Sequence, residues 1–257
     1  MRRLSEYRVF FKEFLRNFHT TGAILPSGRW LAAALARYVS EGSGPRRILE
    51  VGPGTGAVTR KIVAALGPED RLDLVELNSS FVRQLQERFQ TDPAFQAVSG
   101  RSRVLHCAVQ DVPGDVSYDL IISGLPLNNF SADTVSQILT TLRGMLTPNG
   151  TLSFFQYIAI RRLRSLVSGS QERERLRGIG EVLKGFLQGN EIRRDWIWPN
   201  VPPAWVHHVR FNGAPEIAGR QGDEKAPDLL GSRTGSITPK GGIPIVLLGL
   251  PRLTILT

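Results

Sequence analysis

The chain has 257 residues, of which 41% are apolar and 21% charged, a globular composition that excludes collagen-like, fully disordered and polytopic membrane proteins. Its single cysteine excludes an internal disulfide and a cysteine-based zinc cluster, and no metal site is expected. The net charge of +9 points to an anionic partner, either nucleic acid or a phospholipid surface.

Residues 5–18 carry Tyr7, Phe10, Phe11, Phe14, Leu15 and Phe18 at three- and four-residue spacing, with Arg8, Lys12, Glu13, Arg16 and Asn17 on the other side. That periodicity predicts an amphipathic helix. No secretory leader is expected, because an apolar run is missing there. A second helix is predicted over 27–39, stopped by Glu41-Gly-Ser-Gly-Pro45. From residue 46 strands alternate with helices. Strands are predicted over 46–51, 71–77, 103–107, 118–123 and 151–158, with Pro148-Asn149-Gly150 as the turn into the fifth. Helices fall over 58–66, 79–90 and 133–146. This alternation implies a parallel sheet covered on both faces. A further helix over 172–187 precedes two strands, 192–198 and 204–211, joined by a proline-rich link short enough to force an antiparallel pair. Residues 213–257 hold eight glycines and five prolines and read as a disordered tail. Three parts are therefore expected: a helical segment 1–44, an α/β domain 45–212 and the tail 213–257.

The motif Glu50-Val-Gly52-Pro-Gly54-Thr-Gly56 follows a strand and opens a helix. Glycines permit a tight turn and close approach to a ligand, and the next helix presents free N–H groups. The spacing Gly52-x-Gly54-x-x-Ala57 also satisfies the dinucleotide fingerprint, and Glu76 at the second strand end suits the ribose of either ligand. Three features favour S-adenosylmethionine over NAD. Glu50 would repel a pyrophosphate but suits an ammonium and a sulfonium. The sheet ends in an antiparallel hairpin. Ser123-Gly-Leu-Pro126 closes the fourth strand where an acceptor would lie.

Residues 46–158 resemble class I S-adenosylmethionine-dependent methyltransferases through RRILEVGPGTG, LDLVEL, YDLIISGLPLNNF and LTPNGTLSFFQY. More narrowly, the chain resembles bacterial phospholipid N-methyltransferases acting on phosphatidylethanolamine. Thr21-Gly-Ala-Ile-Leu-Pro-Ser27, Ser123-Gly-Leu-Pro126 with Asn129-Phe130, and Phe155-Gln-Tyr157 followed by arginines carry that likeness. The resemblance implies a Rossmann-like, mostly parallel seven-stranded sheet ending in an antiparallel hairpin. It implies a cofactor site of Thr21, Gly22, Glu50, Gly52, Gly54, Gly56, Glu76 and Ser123. Where many members have Gly-Asp-Ala, this chain has Cys107-Ala108-Val109, so adenine is assigned to backbone groups, Gln110 or Asp111. Cys107 itself is expected as a buried strand residue.

Ribosomal RNA adenine dimethyltransferases share this core. Their Asn-(Leu/Ile)-Pro-(Tyr/Phe) motif presents an amide to the amine and an aromatic ring to the flipped base. Here the positions are Gly124-Leu125-Pro126-Leu127, with Asn128 displaced by four residues. Lipid is therefore favoured over nucleic acid. The basic excess lies in residues 1–47 and 157–212, and in the first of these it interleaves with phenylalanines. That pattern fits a helix lying in an anionic membrane interface, with the protein peripheral to the cytoplasmic face of the cell membrane. Tyr157, Asn128 and His19 are the candidate catalytic residues. Tyr7, Phe10, Phe11, Phe14, Arg16, Phe18, Leu125, Arg161 and Arg162 are the candidate lipid contacts, with Arg164 beside them. His207 and His208 alternate across the last strand and are expected to be structural. Trp196, Trp198 and Trp205 are expected to pack the terminal hairpin, though tryptophan is also common at membrane interfaces.

Overall fold

The computed structural model describes residues 28–42, 44–113, 116–158, 170–200 and 202–211. In chain order these form α1 (Arg29–Leu35), α2 (Arg37–Ser40), β1 (Arg47–Val51), α3 (Ala57–Ala65), β2 (Arg71–Glu76), α4 (Ser79–Thr91), α5 (Pro93–Gln96) and β3 (Ser102–His106). The series continues with β4 (Tyr118–Ser123), α6 (Ala132–Gly144), β5 (Leu146–Tyr157), α7 (Ser170–Leu187), β6 (Glu191–Ile197) and β7 (Ala204–Arg210).

The seven strands form one sheet in the order β3-β2-β1-β4-β5-β7-β6. The first five run parallel, and β7 lies antiparallel between β5 and β6. The apolar runs of β1 and β4 are buried on both faces, which parallel pairing with helices on each side requires. One layer packs α6 and α7 through Ile138, Leu142, Ile179 and Leu183 onto Ile121, Leu152 and Phe154. The other packs α1 and α3 through Leu31, Leu35, Ile62 and Val58 onto Ile48, Leu120 and Phe155. Residues 29–40 thus belong to the core of the sheet domain, on a side chain pattern that buries Leu31, Ala32, Ala34 and Leu35.

The predicted strand boundaries differ from the observed ones by at most one residue at either end, except at β5. That strand starts at Leu146, and the Pro148-Asn149-Gly150 turn lies inside it. The pairing with β4 shifts between Tyr118 and Leu120, and Asn149 takes a left-handed conformation with φ 66°. Hydrogen bonding across the bulge keeps the strand continuous where local turn chemistry alone marks a break. Side-chain caps start α4, α5 and α6, from Asn78, Asp92 and Ser131.

Candidate active site

The carboxyl ends of β1, β2 and β4 meet at the glycine loop. Gly52, Gly54 and Gly56 all have positive φ, between 55° and 79°, so an L side chain at any of them is strained. Gly56 caps α3, whose first N–H groups open toward the loop. The loop is held against β4 by a close backbone approach. Gly124 N–H donates to Val51 O at 2.8 Å, and a Cβ on Gly124 would stand 2.6 Å from Gly52 O. Gly124 is a requirement that sequence reasoning did not assign, and the Ser-Gly-Leu-Pro run was its signal.

Two acids face this loop. Glu76 ends β2 and is 3% exposed. It accepts from Gly54 N–H at 3.0 Å and Asn78 N–H at 2.8 Å, so it ties the loop to the start of α4. Burial raises its pKa, against the pull of these backbone donors. Glu50 is 1% exposed, and neither of its oxygens has a hydrogen bond of normal geometry to a described residue. Burial pushes its carboxyl up to about 8; Thr59 beside it opposes this and the nearby Glu76 adds to it. A buried acid left without a cationic partner is costly, so the site has an unmet demand for positive charge.

A cleft opens beside these groups, lined among others by Gly52, Glu76, Leu77, Ala108, Val109 and Leu125. Cys107 contributes to its wall and is partly exposed, because β3 ends one residue earlier, at His106. This corrects the expectation of a buried strand cysteine. Gln110 and Asp111 follow in a 3-10 turn, Val109–Asp111. The side-chain carbonyl of Gln110 is buried without a hydrogen bond, whereas Asp111 is exposed. Leu125, expected against the lipid, lines this cleft, and its Cδ2 would meet a Cβ on Gly52 at 2.8 Å. Ser123 is buried at the β4 end, and its Oγ accepts from Leu125 N–H at 3.4 Å.

Next to this cleft the structure joins two of the candidate catalytic residues. A 3-10 turn, Leu127–Asn129, buries Asn128 at 2% exposure. Its Nδ2 donates to Tyr157 O at 3.1 Å, which leaves Oδ1 buried without a partner among the described residues. Arg175 on α7 donates to Asn128 O at 3.0 Å and Phe130 O at 2.6 Å, fixing the turn from outside. Tyr157 is 3% exposed and its ring packs edge-on against Phe155 in the α1/α3 layer. Burial pushes its hydroxyl up to about 12, so it stays protonated.

His207 and His208 are structural, as expected. His207 contacts Glu191 Oε1 at 2.6 Å on one face of the sheet. His208 contacts Ser153 Oγ at 2.7 Å and Asp195 Oδ2 at 3.4 Å on the other. Burial pushes His208 down to about 4 and keeps it neutral. Thr21, Gly22, His19, Tyr7, Phe10, Phe11, Phe14, Arg16, Phe18, Arg161 and Arg162 lie outside the described residues. Among the described residues no group of three or more His, Cys, Asp or Glu is placed to hold a metal. No helix among them is long and apolar enough to cross a membrane.

A switch-point cleft, a glycine loop and two buried acids on this strand order define a nucleotide-type site. Residues 49–152 match the methyltransferase-domain family, and this part of the chain is a class I methyltransferase domain whose cofactor is S-adenosylmethionine. An ornithine lipid N-methyltransferase from Singulisphaera acidiphila is 27% identical over 150 residues, covering 58% of this chain and 77% of that protein. Ribosomal RNA small subunit methyltransferase A of Burkholderia ambifaria is 34% identical over 84 residues, only 32% of this chain and 30% of that protein. The solved magnesium protoporphyrin IX methyltransferase of Synechocystis PCC 6803, with bound cofactor, shares the fold at TM-score 0.53 and 11% identity, over 72% of this chain and 79% of that one. The O-methyltransferase TomG of Streptomyces achromogenes, also with bound cofactor, gives TM-score 0.53 at 18% identity, over 74% and 82%.

The residues present fit that cofactor. Unpaired Glu50 meets the demand of a cationic ligand, and the glycine loop admits close backbone approach.

Proposed function

We propose that this methyltransferase transfers the methyl group to the primary amine of a polar lipid headgroup at a membrane surface. The supporting observation is the buried Asn128 amide. Its nitrogen is committed to Tyr157 O, so the carbonyl oxygen is left to accept an N–H from an acceptor amine. The cofactor supplies a methyl group already activated on a sulfonium. The protein's own work is alignment and exclusion of water. The amine attacks as the neutral base, and Asn128 Oδ1 orients its lone pair by holding one N–H. The cleft is walled by Leu125, Val109 and Ala108, which keep solvent away.

Phosphatidylethanolamine is the acceptor this reading favours, with its mono- and dimethylated forms as later substrates; the neutral dimethylated amine has no N–H, so Asn128 orients the amine only in the first two rounds. The likeness to an ornithine lipid N-methyltransferase supports a second reading, in which the acceptor is the amine of an ornithine lipid. Both place an amine beside an anionic or polar surface, in keeping with the +9 charge. Gln110 and Ser123 are proposed cofactor contacts at the cleft margin. Tyr157 is proposed to support the acceptor pocket through its backbone carbonyl.

The test is transfer of labelled methyl from S-adenosylmethionine into vesicles holding phosphatidylethanolamine, ornithine lipid, or neither, with ribosomal RNA as a parallel acceptor. Label in one amine lipid identifies the substrate. Label in RNA alone rejects the lipid reading. Asn128→Ala is expected to lower kcat by about 100-fold with calorimetric cofactor affinity retained; equal losses in both would remove Asn128 from the acceptor site.

A further inference from the structure

Of the four tryptophans, three stand in the open: Trp30 is 52% exposed, Trp196 54% and Trp198 64%. Large aromatics usually bury most of their surface, so three such residues on one protein need a reason. They share a place in the fold. β6 runs the same way as β5, because each is antiparallel to β7. The register passes from Tyr157 through Ala204 to Ile197, so Trp196 and Trp198 flank the level at which β5 delivers Tyr157 to the active site. Trp30 comes to the same rim from the opposite layer. The first turn of α1 is anchored there by Gly28 N–H, which donates to Asn200 Oδ1 in the β6–β7 turn at 3.2 Å.

The hairpin is built to keep these rings outward. Trp196 stacks on Trp198 with centroids 5.7 Å apart and meets Trp205 edge-on at 5.4 Å. Trp205 in turn touches the buried His207. Asn200 is buried and holds the turn through Pro202 O at 2.8 Å. The rings are thus braced from beneath, and their outer faces remain uncovered.

We propose that the β6–β7 turn, with Trp30, Trp196 and Trp198, is a docking surface for an anionic lipid bilayer, which it sets against the acceptor side of the active site. The claim rests on the lipid-amine reading above for its purpose, but not for its test. Tryptophan rings suit the headgroup level of a membrane, where one edge is apolar and the other wet. The charge agrees. Arg29 is exposed and lies over the Trp30 ring at 5.0 Å. Basic groups beside interfacial aromatics strengthen binding to an anionic surface. The chain also enters the described fold at Gly28, immediately beside this turn, and residues 5–18 with their aromatic stripe precede that point.

The decisive measurement uses the full chain and vesicles of phosphatidylglycerol and phosphatidylethanolamine with brominated acyl chains. Tryptophan emission is expected to shift blue and to be quenched on binding. The double variant Trp30→Ser with Trp198→Ser is expected to lose at least about tenfold in vesicle partition, with calorimetric S-adenosylmethionine affinity unchanged. Vesicle binding without quenching overturns the surface, since binding would then run through other residues. Unchanged partition of the variant overturns it too. So does a wild-type dimer that this variant dissolves, because the rings would then face a second copy. The quenching of the unaltered chain decides the matter even if the variant folds poorly. Quenching with no methylation of any lipid amine keeps this surface and rejects the lipid-amine reading. Methylation of detergent-dispersed lipid without quenching by vesicles does the reverse.

Discussion

The two ends of the sheet treat buried charge in opposite ways. At the hairpin end, Glu191 holds Arg194 at 2.6 Å and His207 at 2.6 Å, and Asp195 holds Arg37 at 2.9 Å and Arg193 at 2.8 Å. Burial works against both carboxylates, yet their cationic and hydrogen-bonded partners outweigh it and lower their pKa values. At the cofactor end, Glu50 has no such partner among the described residues, and Glu76 is held by the backbone N–H groups of Gly54 and Asn78; burial wins and both pKa values rise. A carboxylate satisfied within the chain stabilises the fold. A carboxylate left unsatisfied is reserved for a ligand, at a cost in stability.

Exchanging the roles tests this contrast. The largest effect is expected from Glu50→Gln, which removes the charge while keeping the shape. Calorimetric cofactor affinity should fall by about 100-fold or more, and the ligand-free melting temperature should hold or rise. A drop in that melting temperature would show Glu50 to be a structural group like Asp195. Gly124→Ala should follow, since its Cβ would meet Gly52 O at 2.6 Å. Displacing the loop should weaken cofactor binding by about tenfold and lower stability as well. At the other end, Asp195→Ala strips a partner from Arg37, Arg193 and His208. Urea unfolding should report a loss of about 1–3 kcal/mol, with cofactor affinity of the folded protein unchanged.

A further expected effect is a slope of stability with pH. The Glu50 carboxyl titrates at about 8 when folded, against an ordinary value of 4.5. Between those values the folded, ligand-free chain keeps a proton that the unfolded chain has lost. Stability from this group is therefore present below pH 4.5 and falls as pH rises toward about 8. Unfolding of the ligand-free protein across that range should show the decline, Glu50→Gln should flatten it, and saturating cofactor should oppose it.

Much of the cofactor half was legible in the linear chain. β4 begins and ends where its apolar run does, and β2 ends on Glu76. The glycine spacing announced a loop that needs positive φ at three positions. These signals are local: alternation, glycine and a carboxylate at a strand end act within a few residues. The acceptor side was less legible. Asn128 looked displaced from any amine-binding motif, yet a 3-10 turn and a bond to Tyr157 O hold it buried at the end of β5, where the acceptor pocket is proposed. The tryptophans read as hairpin packing. They do touch one another, but Trp196 and Trp198 remain more than half exposed. Pro148-Asn149-Gly150 read as a turn that starts a strand and lies instead within one.

The sequence by itself determined the class of fold, the ligand loop and the two acids, because glycine conformation and strand burial are properties of short segments. It also carried the excess of basic charge. Only the tertiary structure decided which polar groups are left over. Glu50 and Glu191 are the same residue type. Glu191 has Arg194 three residues along its own strand, but its contact with His207 exists only because β7 pairs with β6, whereas the pairing around β1 brings Glu50 no cation from the described residues. Strand pairing thus separates the groups that hold this protein together from those it keeps for a ligand.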